Sequence, residues 1–134
     1  MKRKKNILLN QFWIFSGPII GVIIFFILNI FAMFLYPGGT LRNETSSVYL
    51  FSYNFFSDLG RYQSINGSSN FFSSFLFNLS LLNVGFFFSL FYINIFRQFH
   101  NNSYIDYCAR IGSFFGVIGG LFFAGVGLTP VDLY

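Results

Sequence analysis

Two carboxylates stand out as the residues most able to do chemistry. Asp58 lies in Ser57-Asp58-Leu59-Gly60-Arg61, and Asp132 closes Thr129-Pro130-Val131-Asp132. Paired carboxylates can bind a metal ion through oxygen, hold the amine of a lipid headgroup, or act as acid and base where burial shifts a pKa. Asp58 and Asp132 are therefore the catalytic candidates. Ser57, Asp58, Arg61, Thr129 and Asp132 form the candidate surface for lipid or partner contact. A structural reading stands beside these: Asp58 caps a helix start, and Arg61 pairs with one of the two acids. The chain has one histidine, His100, placed far from both acids, so neither a zinc site nor any other metal or cofactor is expected. No nucleophile elbow, phosphate loop or Cys-His pair occurs. The single cysteine, Cys108, excludes an intrachain disulfide and reads as a packing residue. Asp106 and Arg110 have the i,i+4 spacing of a helix-surface ion pair.

The elements that would position these residues are membrane-spanning helices. In 134 residues, 54% are hydrophobic, 24% aromatic and only 9% charged, and 23 are Phe. A soluble domain carries about a quarter charged residues, and so short a chain cannot hide this much apolar surface in its own core. The net charge of +4 does not point to nucleic acid, because Lys2, Arg3, Lys4 and Lys5 precede a long apolar run as a topogenic signal. Spans are expected over about 12–36, 71–96 and 111–128, each near or above the roughly 20 residues that cross the hydrocarbon. The first is too long for a signal peptide core and lacks a cleavage pattern, so it reads as an uncleaved anchor. The class is thus all-α: a polytopic membrane protein of three spans forming one domain over 1–134.

A long loop, 37–70, joins the first two spans, and a shorter one, 97–110, joins the last two. Basic residues are heavier at one side, with Lys2, Arg3, Lys4, Lys5, Arg97 and Arg110 against Arg42 and Arg61. This bias puts the amino terminus and 97–110 in the cytoplasm of a cell-membrane protein, and the long loop outside. Within that loop, Val48 to Phe56 is too short to span and rich in aromatics, so it reads either as an interfacial or re-entrant short helix or as a loop packed on the helices.

Small residues mark the packing faces. Gly112, Gly116, Gly120 and Ala124 recur every four residues, and the second span offers Asn78 and Gly85 on one side. These six are the expected helix-packing set, with Gly17 and Gly21 a weaker pair on the first span. Asn29, Asn78, Asn83 and Asn94 are expected to bond across helices or to backbone, since an unpaired amide in hydrocarbon is costly.

Tyr36-Pro37-Gly38-Gly39-Thr40, Asn54-Phe55-Phe56-Ser57-Asp58-Leu59-Gly60, Asn66-Gly67, Asn70, Leu76-Phe77, Gly85 and Thr129-Pro130-Val131-Asp132-Leu133 give the chain a familiar outline. It resembles the amino-terminal half of a prokaryotic domain-of-unknown-function family of integral membrane proteins, loosely similar to the eukaryotic Frag/DRAM/Sfk group. The resemblance implies six spans, with a histidine after the Thr-Pro-x-Asp element that this sequence lacks, and hence a truncated chain. It implies lipid as a ligand class and transfers no activity. The leading expectation is a non-catalytic membrane protein whose outer face meets lipid or a partner, working as a homo-oligomer or with a missing carboxy-terminal half. The alternatives are a lipid-modifying enzyme, or half of one, using Asp58 and Asp132, and a transport component using the polar side chains of the second span.

Overall fold

The computed structural model describes residues 2–99, 103–129 and 132, with side chains from residue 11 onward. The side chains of Lys2, Arg3, Lys4 and Lys5, together with His100, Pro130, Val131 and Leu133, lie outside the described residues. Helix α1 covers Lys2–Leu35, α2 covers Phe71–Ile95 and α3 covers Ser103–Val126. A 3-10 turn, Phe96–Gln98, continues α2, and a second, Phe56–Gly60, sits in the long loop. Among the described residues there is no strand, only an isolated antiparallel bridge between Gln63 and Ser69. Three helical stretches are long and apolar enough to cross a membrane: Gln11–Leu35, Phe71–Gln98 and Ser103–Val126. In hydrocarbon every backbone N–H and C=O must be satisfied within the protein, which is why uninterrupted apolar runs of this length become helices. The chain is an all-helical membrane protein with three such helices.

The first apolar span, Gln11–Leu35, lies where the sequence places it, but two helices run beyond the expected spans. α1 begins at Lys2, ahead of Phe12, and α3 at Ser103, ahead of Ile111, which takes most of the expected 97–110 loop into helix. Apolar length marks where a helix must exist, but the hydrogen-bond ladder continues into polar residues that tolerate it. In α3 the extension carries the i,i+4 pair, with Arg110 Nε donating to Asp106 Oδ2 at 2.9 Å. Arg110 also lies over the Phe96 ring.

α2 is the common partner of α1 and α3. Toward α1, Gly17 and Gly21 admit the Phe87 ring, and a Cβ at Gly21 would stand 2.8 Å from the Phe87 Cβ. Two amides cross this interface: Asn83 Nδ2 donates to the Gly21 carbonyl at 2.7 Å, and Asn29 Nδ2 to Ser80 Oγ at 2.8 Å. Toward α3, Gly85 faces the backbone of Gly120 and Ala124, while Gly116 lies under the Tyr92 ring. Small residues let the backbones approach closely, the usual basis of helix association in lipid.

The compact core lies at the loop end, where Ala32, Tyr36, Leu59, Phe77 and Leu81 are buried together. Elsewhere large apolar side chains such as Phe15, Phe26, Phe34, Phe72, Phe86 and Phe122 point outward, as a lipid-solvated bundle requires. The loop folds onto this core. Gly38 and Gly39 take φ of +111° and +86°, and side chains there would strike the backbone of Ser46 and Asn66. Tyr53 and Asn54 N–H groups turn back to the Leu50 carbonyl at 2.9 and 2.8 Å. The short helix of the loop is therefore Phe56–Gly60, and the Val48–Phe55 stretch before it is extended chain and turn with Phe51, Tyr53 and Phe55 exposed.

Candidate functional site

Buried asparagines build the loop end. Asn54, 8% exposed, donates Nδ2 to the Gly39 carbonyl at 2.7 Å and accepts the Leu50 N–H at 2.9 Å. Asn70, 1% exposed, directs Nδ2 at the carbonyls of Arg61, Leu59 and Asp58, at 2.8, 3.1 and 3.4 Å. Asn66 donates Nδ2 to the Pro37 carbonyl at 3.0 Å, and the Tyr36 hydroxyl accepts the Ile65 N–H at 3.3 Å. A polar loop against an apolar bundle has few waters to rely on, so these side chains satisfy its backbone instead.

Asp58 belongs to this network. Its Oδ2 accepts the Phe55 N–H at 2.8 Å and lies 3.5 Å from Asn54 Nδ2, and the residue is 5% exposed. It thereby caps the 3-10 helix. Asp132 is at the surface and does a comparable job from the far end of the chain: Oδ1 accepts the Tyr62 N–H at 2.9 Å and Oδ2 the Gln63 N–H at 2.8 Å. Partial burial would raise its pKa, but the Gln63 and Tyr62 N–H groups, helped by the Arg61 charge, hold it below the ordinary carboxylate range. So both acids serve the same loop, one from within and one from outside. The expected pairing of Arg61 with either acid is not found: among the described residues Arg61 forms no ion pair, and its Nε reaches the Gln63 carbonyl at 3.4 Å.

Of the other contact candidates, Ser57 and Thr129 are exposed, and Thr129 Oγ1 lies near the Val126 and Gly125 carbonyls at 3.3 and 3.4 Å. No group of three or more His, Cys, Asp or Glu able to hold a metal ion occurs among the described residues.

Two of the hollows at this end share Tyr62. One, of about 570 Å³, is lined by Arg61, Tyr62, Gln63, Ser64 and Asp132. The other, of about 310 Å³, is walled by Phe71, Phe75, Leu79 and Leu82 of α2 with Leu128 and again Tyr62. Asn78 lines the second hollow. Its amide makes no hydrogen bond among the described residues, unlike Asn29, Asn83 and Asn94, and its Oδ1 would be 3.4 Å from a Cβ at Gly60.

In the packing set, Gly116, Gly120 and Ala124 lie against α2, whereas Gly112 has open space around it. Steps of four residues drift about 40° each around a helix of 3.6 residues per turn, so the stripe winds off the face. Ser113, 6% exposed, takes the place expected of Gly112, and Gly127 continues the face beyond Ala124, against the Asn78 carbonyl and Leu81. Neither was singled out by spacing. Asn54 and Asn70 stand out in the sequence only through the resemblance and Tyr62 not at all, because their roles depend on loop geometry that no period reveals. Compared with family models, curated proteins and solved structures, the chain matches none.

Proposed function

We propose that the chain is a cell-membrane protein without chemistry of its own, whose loop end faces outward and receives lipid or a membrane partner. One observation carries this reading: Asp58 and Asp132, the chain's best catalytic candidates, hold one and two backbone N–H groups of the same loop at 2.8–2.9 Å. Carboxylates so engaged support a binding surface, and that surface opens on a groove walled by Phe71, Phe75, Leu79 and Leu82. The outward orientation is supported by Lys2, Arg3, Lys4, Lys5, Arg97 and Arg110 at one end of the bundle against Arg42 and Arg61 at the other. In the same reading the chain is kin to the six-span family it resembles and associates with a second copy or with further helices.

Native mass spectrometry of the chain purified in mild detergent tests this reading, joined to an analysis of the lipid after incubation. The expected result is retained phospholipid, chemically unchanged, on a discrete assembly. Conversion of lipid that disappears in folded Asp58→Asn or Asp132→Asn protein would replace the reading with an enzymatic one. Liposome flux abolished by Asn78→Ala would replace it with transport.

A further inference from the structure

Two hollows of the loop end meet at Tyr62, which lines both. Arg61 and Asp132 line the polar one together without pairing with each other. Each oxygen of Asp132 accepts one backbone N–H, which fixes the carboxylate and leaves further acceptor capacity on both oxygens. The apolar hollow follows one face of α2, through Phe71, Phe75, Leu79 and Leu82, with the unpaired amide of Asn78 beside them. A cation and a fixed anion, unpaired with each other at the mouth of an apolar groove with an unsatisfied amide inside it, match the parts of a single amphiphile in order.

We propose that these hollows seat one zwitterionic, amine-bearing phospholipid, with its phosphate on Arg61, its ammonium on Asp132 and an acyl chain along Phe71, Phe75, Leu79 and Leu82. This rests on the reading that the loop end receives lipid. The guanidinium fork suits a phosphate, and a carboxylate takes N–H bonds from a primary ammonium that a trimethylated amine cannot give. The ester carbonyls of such a lipid lie just beneath its phosphate and accept from Asn78. An anionic headgroup without an amine would bring its phosphate to Arg61 and leave the Asp132 carboxylate with no cation of the lipid to answer it. Tyr62, 47% exposed, sits at the junction, where an aromatic ring with a polar tip suits headgroup depth.

The test is native mass spectrometry of the full chain after equilibration with equimolar phosphatidylethanolamine, phosphatidylcholine and phosphatidylglycerol of identical acyl chains. The expected result is roughly a tenfold preference for phosphatidylethanolamine over phosphatidylcholine, the size of one charge-assisted hydrogen bond. On the unaltered chain, N-methyl and N,N-dimethyl phosphatidylethanolamine keep most of that advantage, and the steepest loss comes with the third methyl, which removes the last N–H. Asp132→Asn abolishes the preference but not retention, and Arg61→Gln weakens retention of both zwitterions. Because Asp132 also supports the loop, the methyl series decides the matter without any variant. Equal retention of all three headgroups, or a preference for phosphatidylglycerol, overturns the zwitterion seat and leaves lipid binding standing. Retention of no lipid from any mixture overturns both.

Discussion

Adding a methyl group at Gly85 tests the packing argument most directly. A Cβ there would stand 2.5 Å from the Gly120 carbonyl oxygen, 2.6 Å from the Ala124 Cβ and 2.9 Å from the Ala124 nitrogen. Ordinary contact begins near 3.4 Å, so the methyl falls about 0.9 Å short against an oxygen that moves only with the α3 backbone. α2 and α3 must part. Overpacking of this kind costs about 1–3 kcal/mol, offset by about 1 kcal/mol because alanine favours a helix interior more than glycine does. Gly85→Ala should thus lose up to about 2 kcal/mol net, while Gly112→Ala, with open space around it, should gain up to about 1 kcal/mol. In reversible unfolding in mixed micelles of rising dodecyl sulfate fraction, the two midpoints should then shift in opposite directions, by stabilities that differ by up to about 3 kcal/mol. Gly116→Ala is a graded control, since it meets the Tyr92 ring, a side chain that can rotate away. Equal midpoints for Gly85→Ala and Gly112→Ala would refute the assignment of Gly85 to the α2–α3 contact.

Asn70→Ala leaves the carbonyls of Asp58, Leu59 and Arg61 without their shared donor and should destabilise the loop by about 2–3 kcal/mol, read as faster limited proteolysis between residues 56 and 70. The Asp132 carboxyl is held below its ordinary pKa when folded, so its contribution is complete above the unfolded value of about 4 and is lost as pH falls through the lower folded value. Hydrogen exchange at the Tyr62 and Gln63 amides should accelerate in that acid window in the parent chain, and should show no such step in Asp132→Asn. Gly38→Ala should prevent the loop from closing, because φ is +111° and the new Cβ would strike the Ser46 carbonyl, whereas Gly67→Ala, at φ +81° with nothing nearby, should cost only about 1–2 kcal/mol. Equal effects of those two substitutions on proteolytic resistance would refute the steric argument.

The bundle was legible in the sequence because lipid imposes one rule on every backbone group, and apolar length obeys it openly. Helix existence followed from that rule. Helix ends did not, since residues such as Asp106 and Arg110 extend α3 beyond the apolar run through a local ion pair. The small-residue stripe marks α3 as having a close-packed side, but a strict four-residue step cannot follow a helix of 3.6 residues per turn, which is why it includes Gly112 and passes over Ser113 and Gly127. Asp58 could be read as a cap because capping is local. The bonds of Asp132 to Tyr62 and Gln63 join residues some 70 positions apart, and nothing in a single sequence announces such a contact.

The same long-range tie explains why opposite charges at the loop end stay apart. A free aspartate beside an arginine would close on it, and a closed pair offers a ligand little. Asp132 cannot swing, because Tyr62 and Gln63 take both of its oxygens, and Tyr62 is in turn held through its carbonyl by the Asn70 N–H at 2.8 Å. Asn70 also braces Arg61 through its carbonyl, so one buried asparagine at the start of α2 fixes the backbone beneath the cation as well as beneath the anion's partners. Groups fixed before a ligand arrives lose less freedom on binding it, and the benefit grows with the number of groups that must act together. Loosening Asn70 should therefore reduce headgroup discrimination more than total lipid retention, since the apolar groove along α2 depends on the helix and not on the loop. Loss of retention and discrimination in equal measure in Asn70→Ser would show instead that the loop and the groove are one unit, with the charges contributing no selectivity of their own.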